Sequence, residues 1–315
     1  APHAGRPRAA DIPFTRYDGR RGGAWLAEAL VMLARQRMPW VSLVVAYYFV
    51  LALVEWLPWI GAFVAPILKP VLSVGMLAAA WTQERGGRPQ LRMLARGFGA
   101  NLWALVPLGV VLITGIALAI AATALIDGGR LLELFYGGAA IDSDSAAAAN
   151  QVRATLSDPS VELAMLFGGI CALPTILALW WAPALIIFQD AGAATALRVS
   201  LRAAVANWRA VLRYGLLVFL LGGVVPSFLT TLVALVAPAP VYPLAASALL
   251  LPYVVIFVTT LHIADYVSYR DVFHAGESVT PAAPGAPGTP DGPATSEGSS
   301  TPGKSLTSEA PESDP

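Results

Sequence analysis

Residues 102–126, LWALVPLGVVLITGIALAIAATALI, run without one ionisable side chain. A hydrocarbon core about 30 Å thick is crossed by roughly 20 apolar residues in a helix, so this stretch is long enough to span a bilayer. An outer-membrane strand would be about ten residues long, with polar residues alternating toward a lumen. Unbroken apolarity leaves the helix, which satisfies its own backbone hydrogen bonds in lipid. Working outward, comparable stretches occur at 38–57, 60–81, 163–188, 212–236 and 242–265. The fold class read from them is all-α: a polytopic integral membrane bundle of six transmembrane helices.

Composition agrees. Of 315 residues, 57% are hydrophobic and only 13% charged, whereas charged residues approach a quarter of a soluble domain. The formal net charge is zero, which gives no basic field of the kind that attracts nucleic acid. Cys171 is the single cysteine, so no disulfide framework or thiolate zinc cluster is built within one chain. Histidine occurs only at His3, His262 and His274. No H-E-x-x-H, G-x-S-x-G, G-K-[ST] phosphate loop or G-x-G-x-x-G pattern is present. The expectation is therefore a protein without catalytic residues, metal or cofactor, and not an enzyme.

Orientation follows from arginine. Arg6, Arg8, Arg16, Arg20, Arg21, Arg35 and Arg37 precede the first span. Arg85, Arg88, Arg92 and Arg96 lie between spans two and three, and Arg198, Arg202, Arg209 and Arg213 between four and five. On the other side only Arg130 and Arg153 occur, outnumbered by Asp127, Glu133, Asp142, Asp144, Asp158 and Glu162. The positive-inside rule then places both termini in the cytoplasm of a bacterial inner membrane. No apolar run follows a short basic start, which argues against a cleaved secretory signal.

Three domains of composition follow: a polar segment at 1–24, the membrane domain at 25–273 and a Pro/Gly/Ser/Thr-rich tail at 274–315, expected to be disordered. The outer loop at 127–162 holds an apolar stretch, Leu131 to Tyr136, and a candidate short helix, Ser143 to Leu156. Asp158 before Pro159 reads as an N-cap and first helical residue, with Glu162 in the first turn.

Three segments share a pattern: EALVMLARQRMPWVSL at 28–43, LRMLARGFGANLWALV at 91–106 and LRVSLRAAVANWRAVL at 197–212. Each sets arginines and apolar residues at helical spacing and then a Trp where the chain enters the membrane. Trp40, Trp103 and Trp208 are candidate interface anchors, with Asn101 and Asn207 just before two of them, and Arg198, Arg202 and Arg209 are candidate headgroup contacts. The repeat implies three hairpins, each introduced by an amphipathic interfacial helix.

With these residues in view, the chain resembles a family of uncharacterised proteobacterial inner-membrane proteins, described only as hypothetical transmembrane proteins. It is more distantly similar to the membrane domains attached to some glycerophosphodiester phosphodiesterases. GAWLAEALVMLARQRMPW, PVLSVGMLAAA at 70–80, WAPALIIFQD at 181–190, ANWRAVLRYG at 206–215 and SYRDVF at 268–273 carry the likeness, which covers roughly residues 20–273. It implies a membrane location and supplies no catalytic residue.

Charges within spans default to functional hypotheses. Lys69, beside Pro70 and one turn after Pro66, lies inside span two, and Glu55 ends span one. A Glu55–Lys69 pair across the hairpin would line a path for a solute or proton, or merely fix the hairpin; the other alternative is that Lys69 snorkels outward. Asp190, Asp265, Arg270 and Asp271 read as ion-pairing residues at span ends. Gly168, Gly169, Ala172, Gly222 and Gly223 permit close helix approach. The leading expectation is a non-enzymatic membrane protein acting in envelope organisation, lipid interaction or partner binding, with anionic headgroups as partners at its arginine-bearing face. The rival is a transporter or channel using Lys69 and Glu55.

Overall fold

A computed structural model of the chain describes residues 12–58, 60–99, 102–136 and 146–274, and among these every regular element is helical. They belong to one unit reaching to Ser278. The tail and the loop residues 137–145 lie outside the described residues, as does Asn101.

The first span is α2 (Arg37–Glu55) and the second α3 (Gly61–Glu84), which runs through Pro66 and Pro70. The third is α5 (Leu102–Asp127). The fourth is α8 (Pro159–Trp180) continued by α9 (Ala182–Gln189). The fifth joins α11 (Trp208–Phe219), a π-helical turn Leu220–Val224 and α12 (Val225–Val236). The sixth is α13 (Tyr242–His274), longer than the membrane requires. All six are long and apolar enough to cross a membrane. Short helices fill the loop after the third span: α6 (Arg130–Tyr136) and α7 (Ala146–Leu156), while residues 143–145, where the expected helix begins, lie outside the described residues.

Entry segments precede spans one, three and five: α1 (Gly19–Arg35), a 3-10 turn Leu91–Ala95 with the single-turn α4 (Arg96–Gly99), and α10 (Ala193–Ala206). Gln36 and Asn207, in non-helical conformations, break the chain between α1 and α2 and between α10 and α11. The repeat is thus real in outline, with a shortened second unit.

Consecutive spans pack as the hairpins α2–α3, α5–α8 and α12–α13, and α3 also packs along α5 and α13. The entry segments do not lie chiefly on the hairpins they introduce. Helix α1 packs on α11 and α13, the 3-10 turn and α4 on α3, and α10 on α8 and α9. Each covers the hairpin before its own, in cyclic order, and α1 covers the last. The approaches are close: a Cβ on Gly22 would stand 2.0 Å from the Ala210 carbonyl oxygen, and one on Gly97 1.9 Å from that of Val71. Only glycine leaves room there.

The segment ahead of α1 belongs to this packing. Thr15 N–H donates to the Val272 carbonyl at 2.7 Å, and Asn207 bridges the strand-like segment by accepting from Tyr17 N–H at 2.8 Å and donating to Thr15 O at 3.0 Å. Ile12 is buried. The packed unit therefore starts well before residue 25, because extended chain without a partner would leave its backbone groups unsatisfied.

In the fifth span a local defect has a visible cause. Pro226 lacks an N–H and its ring would crowd the carbonyl four residues back, and a π turn just before it relieves the crowding. Val225 N–H then bonds to Leu220 O instead of Leu221 O. The freed Leu221 carbonyl accepts from the Tyr253 hydroxyl on α13.

Candidate functional site

Two regions gather polar side chains. The first is an ion-pair network at the arginine-rich end. Arg270 on α13 donates to Glu84 on α3 at 2.6 Å, to Glu28 on α1 at 2.7 Å and to its neighbour Asp271 at 2.9 Å. Arg21 on α1 pairs with Glu28 at 2.8 Å and with Asp271 at 2.5 Å. Trp25 Nε1 also donates to Asp271, at 3.0 Å. Arg21 and Glu28, two helical turns apart, face the same side of α1. One guanidinium meets three carboxylates because its planar fork offers five donors. Nearby, burial first and then the Asp271 carboxylate raise the Tyr17 phenol above its ordinary value. The expected pairing of Arg270 and Asp271 at a span end is present, and its partners from α1 and α3 were not legible.

Beside this network lies an aromatic cluster. Trp25 stands edge-on to Trp180, Trp181 and Tyr214, with centroids 6.3, 6.4 and 6.0 Å away. Trp181 Nε1 donates to Ser268 Oγ at 2.9 Å, and Trp180 Nε1 to Asp265 Oδ1 at 3.1 Å. Buried indoles find acceptors for their N–H, which places both bonds. Asp265 is therefore held by an indole, and no ion pair to it occurs among the described residues. Asp190, expected in an ion pair, instead caps α9 in a left-handed conformation at φ 49°.

The second region is a cavity of about 1050 Å³ that opens between the second and third hairpins and is backed by the first. These hairpins do not pack side by side along their lengths, and they meet near the arginine-rich end through Trp180 and Tyr214, 4.9 Å apart. Leu173 and Ile176 of α8 and Leu212 and Leu216 of α11 line the opening and are exposed at spanning depth. Lys69, Tyr48, His262 and Asp265 supply polar groups on the inner wall. The His262 ring sits edge-on to Tyr47 at 4.9 Å, with its Nε2 3.5 Å from the Tyr48 hydroxyl.

Depth separates these groups. Glu84 is fixed at the level of Arg270 by their bond. At 1.5 Å per residue, Asp265 lies roughly 7 Å and Lys69 roughly 22 Å into the membrane from that level. Lys69 thus belongs to the half away from the arginine-rich end. Among the described residues its ammonium has no ion-pair partner. The anticipated Glu55–Lys69 pair does not form. Glu55 is exposed at the end of α2, while Lys69 lies eight residues, about 12 Å, beyond the start of α3.

The three matched tryptophans have different fates. Trp103 is 88% and Trp208 56% exposed, and the Arg209 guanidinium lies 5.4 Å from the Trp208 ring. Trp40 departs from the anchor expectation. It is fully buried, and its Nε1 donates to Gln83 Oε1 at 2.5 Å while Gln83 Nε2 donates to Met32 O at 2.7 Å. It joins α2, α3 and α1 because α1 runs back beneath it. Arg198, Arg202 and Arg209 are exposed, as are Arg35, Arg37, Arg85, Arg88, Arg92, Arg96 and Arg213. None of these pairs with a carboxylate among the described residues. No group of three or more His, Cys, Asp or Glu side chains among those residues is placed to hold a metal.

Fold and site together define an all-α polytopic membrane protein with a cavity between its hairpins. A probable inner membrane protein of Burkholderia thailandensis is similar to it, with 28% identity over 278 residues covering 87% of this chain and 98% of that relative. No family model and no solved structure matches the chain. The likeness supports an inner-membrane protein.

Proposed function

We propose that this is a non-enzymatic inner-membrane protein that engages anionic lipid headgroups through its arginine-rich face, in an envelope-organising or partner-binding role. The observation that carries this reading is the division of labour among the arginines. Arg21 and Arg270 are consumed by carboxylates, whereas the arginines of α10, α11 and the loop after α3 stand exposed with none among the described residues. Each basic residue near an anionic leaflet contributes about 1 kcal/mol of attraction. By the positive-inside rule this face, with both ends of the chain, is cytoplasmic. The full chain in zwitterionic nanodiscs, titrated with phosphatidylglycerol, tests it. Stabilisation that grows with anionic content and shrinks in Arg198→Gln/Arg202→Gln/Arg209→Gln supports the reading, and indifference to lipid charge overturns it.

A second reading is favoured by one observation: Lys69, His262 and Asp265 share a cavity. A solute or proton transporter would use them, without Glu55. Flux in proteoliposomes that is lost in Lys69→Met distinguishes it.

A further inference from the structure

We propose that the cavity between α8 and α11 holds an acyl chain of a membrane lipid whose anionic headgroup pairs with Lys69, in the leaflet away from the arginine-rich face. This does not depend on the arginine face, which lies at the other end of the bundle.

The geometry argues for this occupant in three steps. The cavity, about 1050 Å³, sits at the upper end of the size that takes a ligand, and its walls are mainly aliphatic. Its rim residues Leu173, Ile176, Leu212 and Leu216 are exposed at spanning depth, so what borders the opening is hydrocarbon. A water-soluble solute would have to cross lipid to enter there, whereas the tail of a lipid held at Lys69 runs along the bundle toward that rim. Next, an ammonium within a span needs a counter-charge, and the protein supplies Lys69 with none among the described residues. The nearest expected carboxylate, Glu55, is about 12 Å away along the bundle axis. Finally, a helical side chain leans toward its helix N-terminus. For Lys69 that direction runs toward Gly61, at the membrane surface opposite Glu84, where a lipid of that leaflet carries its phosphate. The polar groups at the deeper end, Asp265 and His262, already have Trp180 and Tyr48 as neighbours.

The test uses the full chain in nanodiscs with trace lipids carrying a photoreactive group in mid-chain, either phosphatidylglycerol or phosphatidylcholine, followed by mapping of the labelled residues. The expected result is labelling within α8 and α11 at the cavity rim and along α3. Phosphatidylglycerol is expected to label about five-fold more strongly, the ratio a single cation near a headgroup provides. Lys69→Met is expected to erase that preference and Lys69→Arg to keep it, with unchanged thermal stability of both variants showing that the fold is intact. Should Lys69→Met not fold, Leu216→Trp, which fills the opening, is expected to remove the rim labelling while leaving labels on outer helix faces. Equal labelling by the two lipids, or a preference untouched by Lys69→Met, overturns the headgroup pairing. Labels confined to the outer faces of α12 and α13, or cavity labels displaced by millimolar inorganic phosphate, overturn the lipid occupant altogether.

Discussion

Arg270 Nη1 stands 2.6 Å from Glu84 Oε1, and this bond joins the last helix to the arginine-rich end of the second span. The same guanidinium reaches Glu28 and Asp271, so three helices converge on one side chain. Replacing Arg270 with Met is expected to cost about 2–3 kcal/mol, because it leaves the half-buried Glu84 carboxylate without a cation while Glu28 and Asp271 keep Arg21. Lysine keeps the charge and loses the fork, so Arg270→Lys is expected to recover only part of the loss. Thermal unfolding in detergent, followed by tryptophan fluorescence, reads both.

Trp40 and Trp103 occupy matched positions in the repeat and have opposite surroundings. Trp40→Phe removes the donor to Gln83 and is expected to lower stability by about 1–2 kcal/mol. Trp103→Phe is expected to fall within about 0.5 kcal/mol of the parent protein. Parallel melts of the two variants check the contrast.

Gly22 lies against the Ala210 backbone with no space for a β-carbon. Gly22→Val is expected to lift α1 away from α11 and to expose Trp25, Arg21 and Glu28. Limited proteolysis should then cut between Arg20 and Arg35, where the parent protein resists.

Tyr253→Phe deletes the donor to the Leu221 carbonyl that the π turn sets free. About 1 kcal/mol of stability is expected to be lost. In the double variant Tyr253→Phe/Pro226→Ala the fifth span can close into a regular helix, and stability is expected to return toward the parent value.

On the opposite face, hydrogen bonds from the side chain and backbone of Ser160 hold Asp158 below the ordinary carboxylate range, with Arg130 adding to the effect. A carboxylate lowered on folding stabilises fully above its unfolded pKa, and that contribution fades as pH falls through the folded value. Below about pH 4, then, the start of α8 is expected to loosen, and Asp158→Asn should remove this pH dependence. Hydrogen exchange at the amides of residues 160–163 measures it.

The spans were legible because lipid imposes one rule on every residue that crosses it, and residues 102–126 obey that rule without exception. The uses of individual polar residues were less legible, since these depend on which distant helix arrives beside them. Trp40 and Trp103 have the same local pattern, and only the return of α1 beneath the first hairpin buries one of them. Arg21 looks like Arg20 in sequence, yet its side of α1 meets Asp271. Glu55 and Lys69 read as hairpin partners until helical rise is counted. The paired Trp180 and Trp181 ahead of Pro183 were a signal for the aromatic cluster and the break in span four, and the facing Trp25 gave none.

The placement of α1 on the final hairpin bears on biosynthesis. Ribosomes deliver Arg21, Glu28 and Trp25 long before Asp271 and Arg270, so the first helix must wait at the membrane surface until all six spans have been made. A nascent chain halted before the sixth span would display that helix without its lock, a feature by which membrane proteases can recognise an unfinished copy.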